Sequence, residues 1–251
     1  MVQEMVSIIT PIYNGAAFVE ETIQSVFAQT YQNYEWIVVD DGSKDDSYSI
    51  LMKYAEQNSR MQVIQQENAG SAAARNAGIR MAKGQYIALL DADDLWDPEF
   101  LEKQIIFMKK HHTRCVYGSY RMINENSEVI KKPVICRSII TRKDMMIKNE
   151  IGCLTGLYDC SKHGKVYLDE SLKSIRDDYA YWIEIVTLSE RAYGNKEVLA
   201  SYRVSENSVT GNKKKLIRKQ YGFYRKYLKL GVLVSLRNTF LWGLSGICKF
   251  S

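Results

Sequence analysis

The chain has 251 residues, 46% hydrophobic and 25% charged, an ordinary globular composition with enough length to bury a core. Its 15 glycines and 3 prolines exclude a disordered or proline-rich chain, and no fixed-period repeat is present. The net charge of +5 is unevenly placed: residues 211–251 hold ten Lys and Arg and no acid, which leaves the first 210 residues at −5. The five cysteines, Cys115, Cys136, Cys153, Cys160 and Cys248, are odd in number and lack CxxC spacing. That pattern argues against a zinc site or a disulfide framework and for reduced thiols in a cytosolic protein. Met1, Val2, Gln3 and Glu4 run straight into an apolar strand without a basic leader, so no signal peptide is expected.

The first hundred or so residues alternate strand and helix signals. A β-branched run at 6–10 is followed by turn chemistry at Pro11, Ile12, Tyr13, Asn14 and Gly15. Residues 16–29 predict a helix with Phe18, Ile23, Val26 and Phe27 on its apolar side. Strand 36–39 ends in Asp40 and Asp41, helix 44–58 follows, then strand 61–65 and helix 71–82. Strand 86–90 ends in Asp91, Ala92, Asp93 and Asp94, and Pro98 opens a helix that runs to about 110. The order implies an α/β, Rossmann-like fold with a mostly parallel central sheet flanked by helices. Ligands of such sheets bind beyond the carboxyl ends of the strands. That rule brings Pro11 to Asn14, Asp40 with Asp41, and Asp91 to Asp94 onto one rim. Beyond residue 114 the expected elements are a strand at 115–123, a short helix at 141–148, a helix at 177–189, a strand at 198–204 and an amphipathic helix at 213–230, which a second helix may extend.

The rim residues carry the chemistry. Asp91 and Asp93, one residue apart at a strand end, suit a hard divalent cation shared with substrate phosphates, or a split between metal and ribose. The plainer reading is a polar helix N-terminus. Asp40 and Asp41 read as an Asx turn or N-cap, with Ser43 and Asp46 resembling a capping box, or as one capping residue beside one acceptor for a base N–H. The small residues from Asn68 to Asn76 open a helix that lets a ligand approach the backbone, with Arg75 in reach of a diphosphate, or else serve close helix packing. They form no Walker A motif.

Ser7 to Asn14, Ile37 to Ser43, Ala74 to Asn76 and Leu90 to Asp94 stand in an order and spacing that resembles glycosyltransferase family 2, the large inverting family with the GT-A fold. Stretches at 149–159, 166–167, 176–182 and 202–209 are similar to a bacterial branch associated with teichuronic acid, capsule and O-antigen assembly, so the resemblance spans roughly the whole chain. It implies nucleotide binding by Pro11, Tyr13, Asp41, Arg75, Asp91 and Ala92, with Tyr13 stacked on uracil, Asp41 accepting from the ring N–H and Asp91 by the ribose. It implies that Asp93 binds Mn²⁺ or Mg²⁺ and that Asp178 is the catalytic base. Spacing independently puts Asp178 and Trp182 on one helix face, while helix capping is the alternative for Asp177 and Asp178. Many family members carry a His where this chain has Ser205, which leaves the metal without that ligand.

The implied reaction is inverting transfer from a UDP-sugar to a hydroxyl of a growing cell-surface glycan, with a lipid-linked glycan as the expected acceptor. A sugar-phosphate nucleotidyltransferase and a non-catalytic nucleotide-binding module are the competing classes. The domain division is 1–210 for the GT-A domain, with 1–110 as nucleotide-binding half and 111–210 as acceptor and catalytic half, and 211–251 as a basic C-terminal helical extension. That extension lies on an anionic membrane surface by its aromatic side, or folds onto the domain. No nucleic-acid partner is expected. The location is cytoplasmic, with peripheral attachment to the inner face of the membrane under the first reading.

Overall fold

The computed structural model describes residues 1–172, 176–204 and 213–250, the side chains of 213–215 and 245–250 excepted. Ser205, the 207–209 stretch and the side chains of Lys213, Lys214, Lys215 and Cys248 therefore lie outside the described residues.

The N-terminal half is built as β1 (Val2–Ile12), α1 (Val19–Phe27), β2 (Tyr34–Asp40), α2 (Ser47–Ala55), β3 (Met61–Gln65), α3 (Ser71–Met81) and β4 (Gly84–Leu89). Each strand is followed by a helix, so β3, β2, β1 and β4 lie side by side and parallel. Alternate residues feed opposite faces. Ile8, Trp36, Val38 and Ala88 pack with α1 and α2, whereas Ile9, Ile37, Val39 and Leu89 pack under α3. Each of the Val, Leu and Ile side chains among them, fully withdrawn from water, contributes about 1.5–3 kcal/mol. Gly78 lets α3 lie close: a Cβ there would stand 2.7 Å from Ile9 Cγ2. Ala72, Ala73 and Ala74 are buried, so the small residues at this helix start serve packing.

Pro11 and Ile12 continue β1, and the turn begins only at Tyr13 and Asn14. Pairing of Ile12 with Asp40, and of Asp40 with Gln65, aligns the strand ends. The same alignment between β1 and β4 pairs Ile9 with Leu89, so Asp91 emerges level with that rim.

The second half is mixed. It contains β5 (Leu95–Trp96), α4 (Phe100–Lys110), β6 (Cys115–Ile123), β7 (Ile139–Thr141), α5 (Arg142–Met145), β8 (Leu157–Asp159), α6 (Asp177–Leu188) and β9 (Arg191–Arg203). The nine strands run β3-β2-β1-β4-β8-β6-β9-β5, with β7 also on β9. β8 is antiparallel to β4 and β6, whereas β6 and β9 are parallel. β9 begins earlier than its apolar run suggests, because its polar first half pairs with β6 and β7.

The C-terminal part folds onto the second half as α7 (Lys213–Gly222), a π-helical segment Phe223–Tyr227 and α8 (Val232–Phe250). The helix expected at 213–230 runs without interruption to Tyr227, its last five residues wound as π-helix. Its aromatic side is not free: Phe223 and Tyr224 are buried in the core under the sheet. Phe223 stacks on Tyr179 at 5.0 Å. The carbonyls at the end of α5 attract this packing. Tyr179 Oη donates to Met145 O, Asn238 Nδ2 to Met146 O at 2.9 Å, and Tyr224 Oη to Ile147 O. Three side chains from three elements satisfy carbonyls that a helix C-terminus leaves open. Among the described residues no helix is long and apolar enough to cross a membrane.

Candidate active site

Three loops meet at the carboxyl edge of the parallel strands. The loop after β1 is tied to the one after β2 by four bonds: Asn14 N to Ser43 Oγ, Lys44 N to Asn14 Oδ1, Gly15 N to Ser47 Oγ and Ala16 N to Asp45 Oδ2, all 2.8–3.0 Å. Asp45 does this work, and the expected Ser43–Asp46 capping box does not form. Tyr13, held above this brace, is 51% exposed and offers an open aromatic face. Pro11 lies below it, half-buried and paired with Val39.

The adjacent aspartates after β2 divide their tasks. Asp40 accepts from Ser43 N at 3.1 Å, closing an Asx-type turn. Asp41 accepts from Gln66 Nε2 at 2.7 Å, Ala69 N at 2.9 Å and Gly70 N at 2.8 Å, which fixes the loop into α3. Gly42 at φ +76° and Gly70 at φ +91° make both turns possible. A carboxylate has about four lone-pair sites, so Asp41 retains capacity for one more donor.

Asp91 follows β4 and binds Arg75 Nη2 at 2.5 Å, while Arg75 Nη1 reaches Asp177 at the start of α6 at 3.1 Å. Ser71 Oγ donates to the same Asp177 oxygen at 3.1 Å. Arg75 is buried between two carboxylates. Its guanidinium joins the two halves of the molecule by bridging Asp91 and Asp177. Ala92 is buried, and its carbonyl accepts from Thr22 Oγ1 at 2.9 Å.

Asp93 is half-buried, and burial, then the Asp91 charge, pushes its carboxyl up to about 6. Asp94 is buried and shifted upward by burial and by Asp93 and Asp91. Arg203 holds this acidic turn from beneath. Its Nε donates to Asp93 O at 2.8 Å, its backbone N to Asp94 Oδ1 at 2.9 Å and its Nη2 to Glu21 at 3.1 Å. Sequence reasoning noted Arg203 only within a similar stretch, because its partners lie more than a hundred residues away.

Asp178 stands beside Asp177 but is not consumed by the Arg75 bridge. Among its contacts are the Asn149 Nδ2 amide at 3.3 Å and the Tyr179 backbone N–H. Burial, then the Asp177 charge, raises its carboxyl above the ordinary range, against the opposing pull of Arg75 and Arg176. Trp182, one turn on, is fully buried against Gly156, where a Cβ would stand 2.2 Å from its ring. Cys153 is half-buried among Arg75, Asp91, Asp177 and Asp178, with its thiol shifted upward by burial. Asn149 and Cys153 are marked in the sequence only as part of the similar stretch 149–159, with no role in the site attached to either.

Among the described residues no group of three His, Cys, Asp or Glu side chains forms a ready metal cage. The oxygen-only donor set nonetheless fits Mg²⁺ or Mn²⁺, which dehydrate reluctantly and are commonly held by one or two carboxylates plus phosphates and water. The crowding that raises Asp93 is the condition that a divalent cation relieves.

The model for Glycosyl transferase family 2 matches residues 7–176. The chain belongs to that family. It is 34% identical over 227 residues, 90% of this chain and 89% of the relative, to TuaG of Bacillus subtilis, a glycosyltransferase provisionally assigned to teichuronic acid biosynthesis. It is 35% identical to WfgD of Escherichia coli, a UDP-Glc:α-D-GlcNAc-diphosphoundecaprenol β-1,3-glucosyltransferase, over 86% of this chain and 84% of the relative. In fold it resembles S. aureus TarS 1–349 in complex with UDP, with TM-score 0.69 and 19% identity over 94% of this chain and 69% of that one. The mannosyltransferase PcManGT of Pyrobaculum calidifontis, in complex with GDP-Man and Mn²⁺, aligns with TM-score 0.66 and 19% identity over 94% of this chain and 69% of that one. The GT-A fold and a glycosyltransferase activity follow from the family, and the nucleotidyltransferase and non-catalytic alternatives are set aside.

Proposed function

We propose that this family 2 enzyme transfers a sugar from a UDP-sugar, with inversion, to a hydroxyl of a bacterial cell-surface glycan carried on a lipid diphosphate. The observation that carries the reading is the division between Asp177, bound by Arg75 and Ser71, and Asp178, outside that bridge and with a raised carboxyl. A carboxylate in that condition suits general-base work. The names of WfgD and TuaG support the lipid-linked acceptor and the cell-surface product.

In this reading residues 1–110 bind the nucleotide and 111–210 supply the acceptor side and the base. Tyr13 stacks on the uracil and Asp41 accepts from its ring N–H. Pro11 and Ala92 shape the floor, and Asp91, oriented by Arg75, lies by the ribose. Asp178 removes the acceptor proton, and the acceptor oxygen attacks the anomeric carbon from the face opposite the diphosphate. That single displacement converts an α-linked donor into a β-linked product. Asp93 would hold Mn²⁺ or Mg²⁺ together with diphosphate oxygens, and the cation, when bound, neutralises charge on the departing UDP. The enzyme works on the cytoplasmic face of the membrane, where such acceptors are presented.

The test is UDP release from a panel of UDP-sugars with Mn²⁺, with and without a GlcNAc-diphospho-lipid analogue. Acceptor-dependent release from one donor is expected. Pyrophosphate formation from UTP and a sugar 1-phosphate, without UDP release from any donor, would overturn it.

A further inference from the structure

The last helix of the chain is inside out with respect to water. Ser235 and Asn238 of α8 are buried against the protein, and Asn238 bonds to Met146 O at 2.9 Å. Thr239 and Trp242 share this inner side and are half-buried. The opposite side carries Leu233, Leu236, Phe240 and Leu244, which are 82%, 53%, 66% and 44% exposed. Their spacing of three, four and four residues places them in one stripe, flanked by exposed Val232 and Leu241. Surface helices normally turn such a stripe toward the core, and a contiguous exposed apolar patch marks a contact surface.

Charge identifies the occupant. Residues 211–251 contain ten Lys and Arg and no acid. Lys226 and Lys229, both exposed, immediately precede α8, and Arg237 is exposed next to its apolar stripe. An exposed apolar stripe with Arg237 beside it, in a segment rich in cations and free of acids, fits the headgroup boundary of an anionic bilayer, into which long basic side chains reach. A second copy of this chain fits poorly. A two-fold contact would bring the same basic segment against itself with no carboxylate in it to offset the charge.

We propose that α8 lies in the surface of an anionic membrane by the stripe Leu233, Leu236, Phe240 and Leu244. The aromatic side of the preceding segment, in contrast, belongs to the protein core. The helix is also coupled to the site: the Arg176 guanidinium lies 5.3 Å from the centre of the Trp242 ring, directly before Asp177 and Asp178. α8 therefore stands between the proposed membrane surface and Arg176, the residue directly before Asp177 and Asp178. The proposal deepens the peripheral location in the functional reading, but its deciding readout, vesicle binding, needs neither donor nor acceptor.

The experiment is co-sedimentation of the full chain with vesicles of phosphatidylcholine alone and mixed with phosphatidylglycerol, at low and high salt. Wild type is expected to partition onto the mixed vesicles, less so at high salt. The double variant Leu236→Glu/Phe240→Glu should lose roughly a hundredfold in partitioning. Its thermal unfolding and UDP release from donor should stay at wild-type levels. Wild type that stays in the supernatant with mixed vesicles at low salt overturns the proposal, as does variant binding equal to wild type. Sedimentation velocity supplies the third arm: a wild-type dimer that L236E/F240E dissociates, without vesicle binding, assigns the stripe to a second copy. Loss of vesicle binding with intact UDP release, and the reverse, separate this proposal from the functional one.

Discussion

Arg75 and Asp177 are joined at 3.1 Å across 102 residues of chain, and this bond makes Asp177 an anchor while the adjacent Asp178 carboxylate stays outside the bridge. The side chains of Arg75 and Asp177 are 7% and 6% exposed, so the pair is withdrawn from water. Asp178→Asn, nearly isosteric but unable to take a proton, should retain donor binding and lose about 10²–10⁴-fold in turnover. Asp177→Asn should instead lower stability by about 1–3 kcal/mol, because it weakens a buried charged hydrogen bond. Steady-state kinetics with chemical denaturation of both variants checks this. A dead but fully stable Asp177→Asn beside an active Asp178→Asn would reverse the assignment.

The raised carboxyl of Asp178 gives two pH effects of known sign. The base must be ionised, so the acid limb of the rate profile should lie above the range of an exposed carboxylate. For stability, the folded state holds this proton more tightly than the unfolded chain does. The contribution is therefore fully present below the unfolded pKa and is lost as pH rises through the raised folded value. Asp178→Asn removes the charged form, so it should melt higher than wild type at neutral pH and converge with it in acid. Identical melting curves at neutral pH would contradict the burial argument.

Asp93 tests the cation. Asp93→Ala should reduce transfer by on the order of 10²–10³, the scale seen when stabilisation of developing charge is removed. It should also abolish the Mn²⁺-dependent part of UDP binding in calorimetry. Because Asp93 is partly exposed and its shift is unfavourable to the charged form, the fold should survive the substitution. Undiminished transfer by wild type in EDTA would rule out metal dependence.

Much of this architecture is legible in the sequence because short apolar strands end abruptly in acids. Val38 and Val39 into Asp40 and Asp41, and Leu89 and Leu90 into Asp91, mark both the sheet and its functional rim. The partner of a charged side chain is not legible in this way. Nothing near Arg75 in sequence announces Asp177, and nothing near Arg203 announces Asp93. The tail shows a second limit. Periodicity reveals that a helix has an apolar side, but not which neighbour covers it. Tyr224 turns inward to an open carbonyl after α5 and Phe223 to stack on Tyr179, whereas α8 satisfies Met146 with Asn238 and so turns its polar side inward.

Tyr13 is half exposed above a loop pinned by Ser43, Ser47 and Asp45, so it is available as a stacking surface without rearrangement. Tyr13→Ala should raise the donor KM by about ten- to a hundredfold, the range expected for losing base–aromatic stacking. Tyr13→Phe keeps the ring and should behave as wild type. An unchanged KM in the alanine variant would remove Tyr13 from the nucleotide site.

Arg203 is a demanding position to substitute. Its side chain is 0% exposed. It donates to Asp93 O at 2.8 Å, Asn124 O at 3.1 Å, Glu125 O at 3.2 Å, Ser127 Oγ at 3.0 Å and Glu21 at 3.1 Å, and it covers the Phe18 ring at 4.7 Å. Lys has neither the planar fork nor enough donors to replace these contacts. Arg203→Lys should therefore destabilise the fold by about 1–3 kcal/mol, since a fully buried guanidinium and several half-buried acceptors lose partners at once. It should also weaken the metal-dependent step, because the Asp93 backbone loses its support while the Asp93 carboxylate is still present. The distinguishing measurement is activity against Mn²⁺ concentration, well below the variant's melting temperature. A positioning role predicts a raised Mn²⁺ requirement together with reduced turnover. A reduced melting temperature with an unchanged Mn²⁺ dependence would make Arg203 a structural residue only.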